Sequence, residues 1–170
     1  VWCPASLKAP TPGANGCTAS YASFAALLTA LTDGLDDPAA DGVIWIEGSY
    51  DSSVADPAWS EFLLNGGAGQ PFEALSVYRL TLRGGWDGIS GSKITDPGNP
   101  SLFSGDRLRI IDWSNDVTLS DIEVTGAGGS YALHVTQADG SPGDITLTRV
   151  HVDHNTATYG ARLDNSSGSS

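Results

Sequence analysis

Apolar residues recur along this chain in paired alternations that change phase at their midpoint. Three stretches share the spacing: Leu75, Val77, Leu80 and Leu82; Val117, Leu119, Ile122 and Val124; and Ile145, Leu147, Val150 and Val152. Within each half, alternate residues are apolar, which is typical of a strand with one buried face. Because side chains of a straight strand point to opposite faces in turn, both halves can face one side only where the chain turns between them. We therefore expect two-residue corners at Tyr78 and Arg79, at Ser120 and Asp121, and at Thr148 and Arg149.

The second and third stretches lie 28 residues apart, and other segments share this interval. The alternating segment 131–135 is followed after 28 residues by segment 159–163. Short strands joined by corners and repeated at a fixed interval predict stacked windings, as in a parallel β-helix. The alternative is an antiparallel β-sandwich, which also uses short strands and Gly-rich turns but predicts neither matched phase changes nor a fixed period.

The first forty residues have a different pattern, which predicts a cap. Apolar residues at helical spacing follow Ser20, a good N-cap, and Gly34 is a good helix stop. We expect an N-terminal cap over residues 1–42, made of a disulfide loop and a short helix that seals the first winding. Parallel coils then fill 43–170, with a long insertion around 84–105 and an uncapped C-terminal end.

The two cysteines favour an oxidising compartment. Cys3 and Cys17 enclose a short loop rich in Pro and Gly, so a disulfide between them is expected, and their spacing does not match a zinc site. The chain lacks Met and begins at Val1, which favours loss of a secretion signal. We expect a secreted or cell-surface protein, and Asn165, in an Asn-Ser-Ser triplet, is a candidate glycosylation site.

The charge balance limits the partners. Charged residues make up 16% of the chain, below the ~25% of an average domain, and the formal net charge is −12. Nucleic acid and anionic lipid both require basic side chains, so neither is an expected partner. No apolar run is long enough to predict a membrane span.

A family resemblance rests on four segments: the start with Cys3 and Cys17, and residues 43–47, 80–86 and 115–124. With them the chain resembles the right-handed parallel β-helix group, of pectate-lyase-like architecture, and more narrowly the N-terminal part of large bacterial secreted or surface proteins. The resemblance implies an all-β fold, a right-handed parallel β-helix (solenoid). It says less about function, because this architecture hosts lyases, hydrolases, adhesins and fibres.

Candidate chemical groups are few and scattered. His151, Asp153 and His154 form a short cluster but lack an evident third or fourth metal ligand. Asp87, Asp96 and Asp106 lie in or beside the insertion and are candidate calcium ligands, at a spacing that matches no known loop. Trp86 and Trp113 are candidates for stacking on sugars, although a Trp near a strand end is more often core. Asp121 and Glu123 are expected to lie one coil from Arg149 and His151, as structural pairs.

From these observations we expect a protein that is not an enzyme and needs no cofactor, with Ca²⁺ as the one candidate ion. The expected function is that of an extracellular structural or adhesive solenoid, which stacks end to end into a fibre or continues into more coils. The expected partners are further copies, further coils or a surface polysaccharide. The alternative is a carbohydrate-active or carbohydrate-binding β-helix, similar to a polysaccharide lyase or hydrolase.

Overall fold

A computed structural model describes residues 1–33 and 38–165. Within these residues there are ten strands and three short helices. In chain order they are β1 (Trp2–Pro4), α1 (Phe24–Ala30), β2 (Gly42–Glu47), α2 (Ser52–Ala55), β3 (Glu61–Asn65), α3 (Glu73–Ser76), β4 (Leu80–Trp86), β5 (Ser101–Ser104), β6 (Arg107–Trp113), β7 (Val117–Thr125), β8 (Tyr131–Gln137), β9 (Ile145–Asp153) and β10 (Tyr159–Asp164).

The strands form two sheets. The six-stranded sheet has the order β1-β2-β4-β7-β5, with β9 also paired to β7, and the four-stranded sheet has the order β10-β8-β6-β3. Strands β1 and β2 are antiparallel, and all other described pairs are parallel. The predicted fold class, an all-β right-handed parallel β-helix, is therefore wrong: the chain is a mixed α/β protein with two sheets of parallel and antiparallel strands and a few short helices, and no solenoid is detected in its described part.

The 28-residue repeat is confirmed as strand pairing. Strand β9 lies parallel to β7 in register, with Val117 opposite Ile145, and β10 lies parallel to β8, with Tyr131 opposite Tyr159. Strands β4 and β5 pair with successive halves of β7. Residues 28 positions apart in these segments therefore lie opposite each other on neighbouring strands of the same sheet.

The expected corners take a different form. Strands β7 and β9 each run unbroken through the predicted corner, and the phase change is made by one residue with a left-handed backbone: Asp121, at φ 56°, and Arg149, at φ 50°. This single residue is enough to return the next apolar side chains to the same side. All four apolar residues of the β7 pattern are consequently fully buried: Val117, Leu119, Ile122 and Val124.

The first of the three stretches does not form such a pair. Leu75 lies in α3 and Val77 ends that helix with 55% of its surface exposed, so only Leu80 and Leu82 belong to a strand. The alternation of Leu75 and Val77 spans too few residues to separate a strand from one helical turn.

Helix α1 closes the core at the β3 side of the molecule. It begins after Ser23, whose hydroxyl accepts a hydrogen bond from the Ala26 amide, so the expected cap at Ser20 is wrong. The expected stop at Gly34 lies outside the described residues. The ring of Phe24 packs edge-on against Phe62 of β3 and Phe103 of β5, with ring centres 5.3 Å apart in each case. One short helix is thereby fastened to both sheets, by contacts worth about 1 kcal/mol each beyond their buried area.

A testable consequence concerns the left-handed residue of β7. Changing Asp121 to Gly or to Ala removes the same side chain, but Ala retains the cost of a left-handed backbone, about 1–2 kcal/mol. We expect Asp121→Ala to unfold with a free energy about 1 kcal/mol lower than Asp121→Gly, measured by urea denaturation. At the neighbouring Ser120 the order should reverse, because its φ is not positive and Gly weakens a strand interior. Equal stability of the two Asp121 variants would contradict this account.

The disulfide gives a second prediction. Cys3 and Cys17 are bonded across 14 residues of sequence. Replacing both with Ala should lower the free energy of unfolding by roughly 3 kcal/mol, because the unfolded chain regains the freedom of an open loop. Reducing agent should destabilise the natural chain by a similar amount and leave the double variant unchanged. An unaltered urea midpoint in the double variant would refute this expectation.

Candidate functional site

The best candidate for a binding site is a cavity of about 300 Å³ between the segment before α1, the end of β2 and helix α2. Aromatic side chains supply much of its wall: Tyr21, Phe24, Trp45, Tyr50 and Trp86. Trp45 and Trp86 are 96% buried and meet edge to face with ring centres 6.5 Å apart. Concave sites with apolar walls and a few polar groups are the usual form of small-molecule sites.

Two carboxylates face this cavity. Glu47 ends β2 and accepts a hydrogen bond from the Ser49 hydroxyl at 3.3 Å. Asp51 caps α2 and uses Oδ1 for both bonds from Ser53, to the amide at 2.9 Å and the hydroxyl at 2.7 Å. Neither carboxylate forms an ion pair with an Arg, Lys or His side chain in residues 1–33 and 38–165, so both retain acceptor capacity for a ligand.

A buried polar network lies behind the cavity and holds α2 in place. Asp56 Oδ2 accepts hydrogen bonds from the Tyr50 hydroxyl at 2.8 Å and from the Phe24 amide at 3.0 Å. Ser52 donates to the carboxylate of Asp106 and accepts from the Ser104 amide at 2.8 Å. These bonds join α1, α2 and the end of β5, so the cavity wall is built on fixed elements.

Burial changes the acidity of this network. Loss of water raises the pKa of Asp106; the hydrogen bond from Ser52 opposes the rise, and the nearby carboxylates of Asp56 and Asp51 add to it. Burial, followed by the hydrogen bond to Asp56, also raises the pKa of the Tyr50 hydroxyl. Burial therefore favours the protonated form of both Asp106 and Tyr50.

A second candidate surface is formed by the strands at the far side of the two sheets. In the described part of the chain, β9 pairs only with β7 and β10 only with β8. Tyr159 and Leu163 of β10 are 58% and 45% exposed. This surface, formed by β9 and β10, is called the open edge below.

The outer face of the four-stranded sheet carries a short polar row. Arg109, His134 and Arg162 lie opposite one another on β6, β8 and β10. Burial and the two flanking guanidinium groups lower the pKa of His134, and neither of its ring nitrogens has a hydrogen-bond partner. Arg109 is bound to Glu61 and Arg162 to Asp164, so the guanidinium groups are already neutralised.

The residues suggested as metal ligands are not brought together. His154 lies 3.2 Å from Asp153, and His151 lies opposite Glu123 on the next strand. Asp106 belongs to the buried network. Asp87 instead accepts a hydrogen bond from the Ile89 amide, and Asp96 accepts one from the Gly98 amide. Within residues 1–33 and 38–165 no group of three or more His, Cys, Asp or Glu side chains is arranged to hold a metal ion. Calcium binding stays an untested prediction.

Other predicted residues have clear positions. The disulfide between Cys3 and Cys17 is present, and Asp121 is bound by Arg149 through two hydrogen bonds, of 2.5 and 2.8 Å. Trp113 is completely buried and Trp86 nearly so, as expected of core residues. Asn165 is exposed. None of the described helices is long and apolar enough to cross a membrane.

Sequence reasoning missed the cavity. Its acidic residues, Glu47 and Asp51, are separated by one turn and have no motif spacing, and Tyr21 precedes α1, which starts at Phe24. A weak signal was available: Glu47 directly follows a buried strand, where the chain leaves the sheet.

Comparison with known proteins gives no match: no family model fits the chain, and neither a curated protein nor a solved structure is significantly similar to it. The function must therefore be argued from the geometry of this chain alone.

The raised pKa of Asp106 predicts how stability depends on pH. A carboxyl whose pKa is raised by folding contributes fully below the ordinary value of about 3.9, and that contribution is lost as the pH rises through the raised pKa. We expect the natural chain to lose free energy of unfolding relative to Asp106→Asn as the pH increases through this window, with a constant difference above it. The measurement is a urea titration at several pH values, with the exposed Asp139→Asn as control. A difference that grows in the opposite direction would refute the assignment.

Proposed function

We propose that this chain is a non-catalytic structural or adhesive protein of the extracellular space, which associates with a second copy of itself through the open edge. The observation that carries the proposal is the unequal burial of equivalent residues on β7 and β9. Each apolar residue of β7 is fully buried, whereas its partner on β9 is only partly buried: Ile145, Leu147, Val150 and Val152. A further layer of strands would complete that burial.

Backbone chemistry supports the same surface. A strand at the edge of a sheet presents unpaired N–H and C=O groups, which are ready to pair with another strand. Here two such edges, one from each sheet, lie at the same side of the molecule. Addition of a strand to each edge would join both sheets at once.

Charge supports a second copy as the occupant. The open edge contains two arginines, Arg149 and Arg162, and two aspartates, Asp153 and Asp164. Its formal charge is therefore zero with histidine neutral, although the whole chain carries −12. Two copies can approach through this surface without the repulsion that other faces would produce.

The position of α1 favours pairing of like ends. Helix α1 packs on β3 and β5 through Phe24, and β3 is the strand furthest from β10 in its sheet. Since the far side of the core is covered, the open edge of one copy meets the open edge of the other, which makes a closed pair.

Two further observations support a structural role outside the cell. The disulfide is stable only where thiols are oxidised. Both arginines of the open edge are in ion pairs, Arg149 with Asp121 of the neighbouring β7 and Arg162 with Asp164, and paired charges are poor acid–base catalysts.

The test is the oligomeric state of the chain. We expect sedimentation velocity to show concentration-dependent association, and Leu163→Lys to abolish it, because a charge would enter the apolar surface that the copies share. Ile94→Lys is the matched control, since Ile94 is 66% exposed and lies outside the open edge, in the segment between β4 and β5. A natural chain that stays monomeric at high concentration, or an Ile94 variant as weakened as the Leu163 variant, would overturn the proposal.

A carbohydrate-binding protein is the second candidate function. It is favoured by the cavity described above, with its aromatic wall and two unpaired carboxylates. A surface polysaccharide would then be the partner, and adhesion and self-association are compatible because the two surfaces are separate.

A further inference from the structure

We propose that the cavity between β2, α2 and the segment before α1 binds a neutral sugar of one or two rings, held by Glu47 and Asp51. This inference rests on the second candidate function and names its ligand class and site. It does not depend on the open edge, so failure of self-association would leave it standing.

The charge of the wall excludes acidic ligands. Glu47 and Asp51 contribute two carboxylates, and no Arg, Lys or His side chain of the described residues lines the cavity. The amino group of Val1 also lines it, but burial lowers the pKa of that group to about 6, which disfavours its charged form. An anionic sugar, such as a uronate or a sulfated residue, would place its charge beside two others of the same sign. The remaining choice is between a neutral polar ligand and a cationic one.

The aromatic groups favour the neutral ligand. Binding of an ammonium ion requires open ring faces. Here the guanidinium of Arg83 already lies 4.8 Å from the centre of the Trp45 ring, and Tyr50 is held by Phe103 at 5.5 Å between ring centres. The aromatic side chains therefore do not form a cage around a cation, and they give the cavity an apolar wall that the C–H groups of a sugar can contact.

The polar groups suit sugar hydroxyls. Glu47 Oε1 and Asp51 Oδ2 are not used in the hydrogen bonds described above, which occupy the other oxygen of each carboxylate. A carboxylate accepts hydrogen bonds from adjacent hydroxyls, and such bonds to a charged group are stronger than neutral ones. Ser49, whose hydroxyl donates to Glu47, adds a further acceptor oxygen to the wall.

The volume limits the length of the ligand. At about 300 Å³ the cavity lies at the lower end of the range of ligand sites, which is roughly 300–1,000 Å³. It accepts a monosaccharide or disaccharide, or the end of a longer chain, and it is not a groove that follows a polymer.

The experiment is calorimetric titration of the whole chain with the methyl glycosides of glucose, galactose and mannose and with N-acetylglucosamine. Glucuronic acid and choline serve as the anionic and cationic probes. We expect at least one neutral sugar to bind, and Glu47→Gln to weaken it about tenfold, as loss of a hydrogen bond to a charged acceptor predicts. Asp139→Asn, a change to an exposed carboxylate in the loop between β8 and β9, should leave the affinity unchanged.

Four outcomes would overturn the proposal. They are binding of none of the neutral sugars, tighter binding of glucuronic acid or choline than of any neutral sugar, a Glu47→Gln variant with unchanged affinity, and an Asp139→Asn variant as weak as Glu47→Gln. Urea unfolding of each variant confirms that it is folded, and sedimentation separates this result from self-association. Asp51→Asn is a second test of the same site that retains an oxygen to cap α2.

Discussion

The six-stranded sheet and the core that it covers depend on one left-handed residue in the middle of β7. Without Asp121 at φ 56°, the alternation that buries Val117 and Leu119 would turn the next apolar pair toward solvent. Aspartate is among the few side chains that tolerate this backbone, and here its carboxylate is also bound by Arg149 from the next strand. The backbone of Arg149 is also left-handed, so β9 changes phase at the position that pairs with this part of β7. The two strands therefore stay in register. Backbone conformation, burial and charge pairing are thus satisfied at one position.

The core is covered by a helix at one side and bounded by edge strands at the other, because α1 packs at one side only. At one side Phe24 packs against both Phe62 and Phe103, and a helix of about two turns covers the ends of both sheets. At the other side no element within residues 1–33 and 38–165 covers β9 and β10 in the same way. The apolar residues of β9 stay partly buried, and Tyr159 and Leu163 of β10 are exposed. Because one side is covered and the other is open, the self-association that we propose joins the open side of one copy to the open side of another.

The repeat of paired strands could be predicted from the sequence, but the fold class could not. The 28-residue spacing of Tyr131 and Tyr159 predicted their pairing, because the repeated pattern of apolar residues can be read directly from the sequence. The classification failed where short segments were ambiguous: Leu75 has the apolar pattern of a strand and lies in a helix, and β1 adds an antiparallel strand whose pattern spans only three residues. The cavity was beyond sequence reasoning, since Glu47 and Trp86 meet only through the parallel pairing of β2 with β4.

That pairing also explains the position of the disulfide. Cys3 and Cys17 pack in one small cluster with Trp45 and Trp86, apart from the main core. The disulfide therefore helps to hold the two indoles that form a wall of the cavity. It also reduces the conformational entropy of the unfolded chain. The cavity is thus supported by a covalent bond on one side and by the network of Asp56 on the other. Such support lowers the entropy lost when a ligand is bound, which would favour binding of the neutral sugar that we propose.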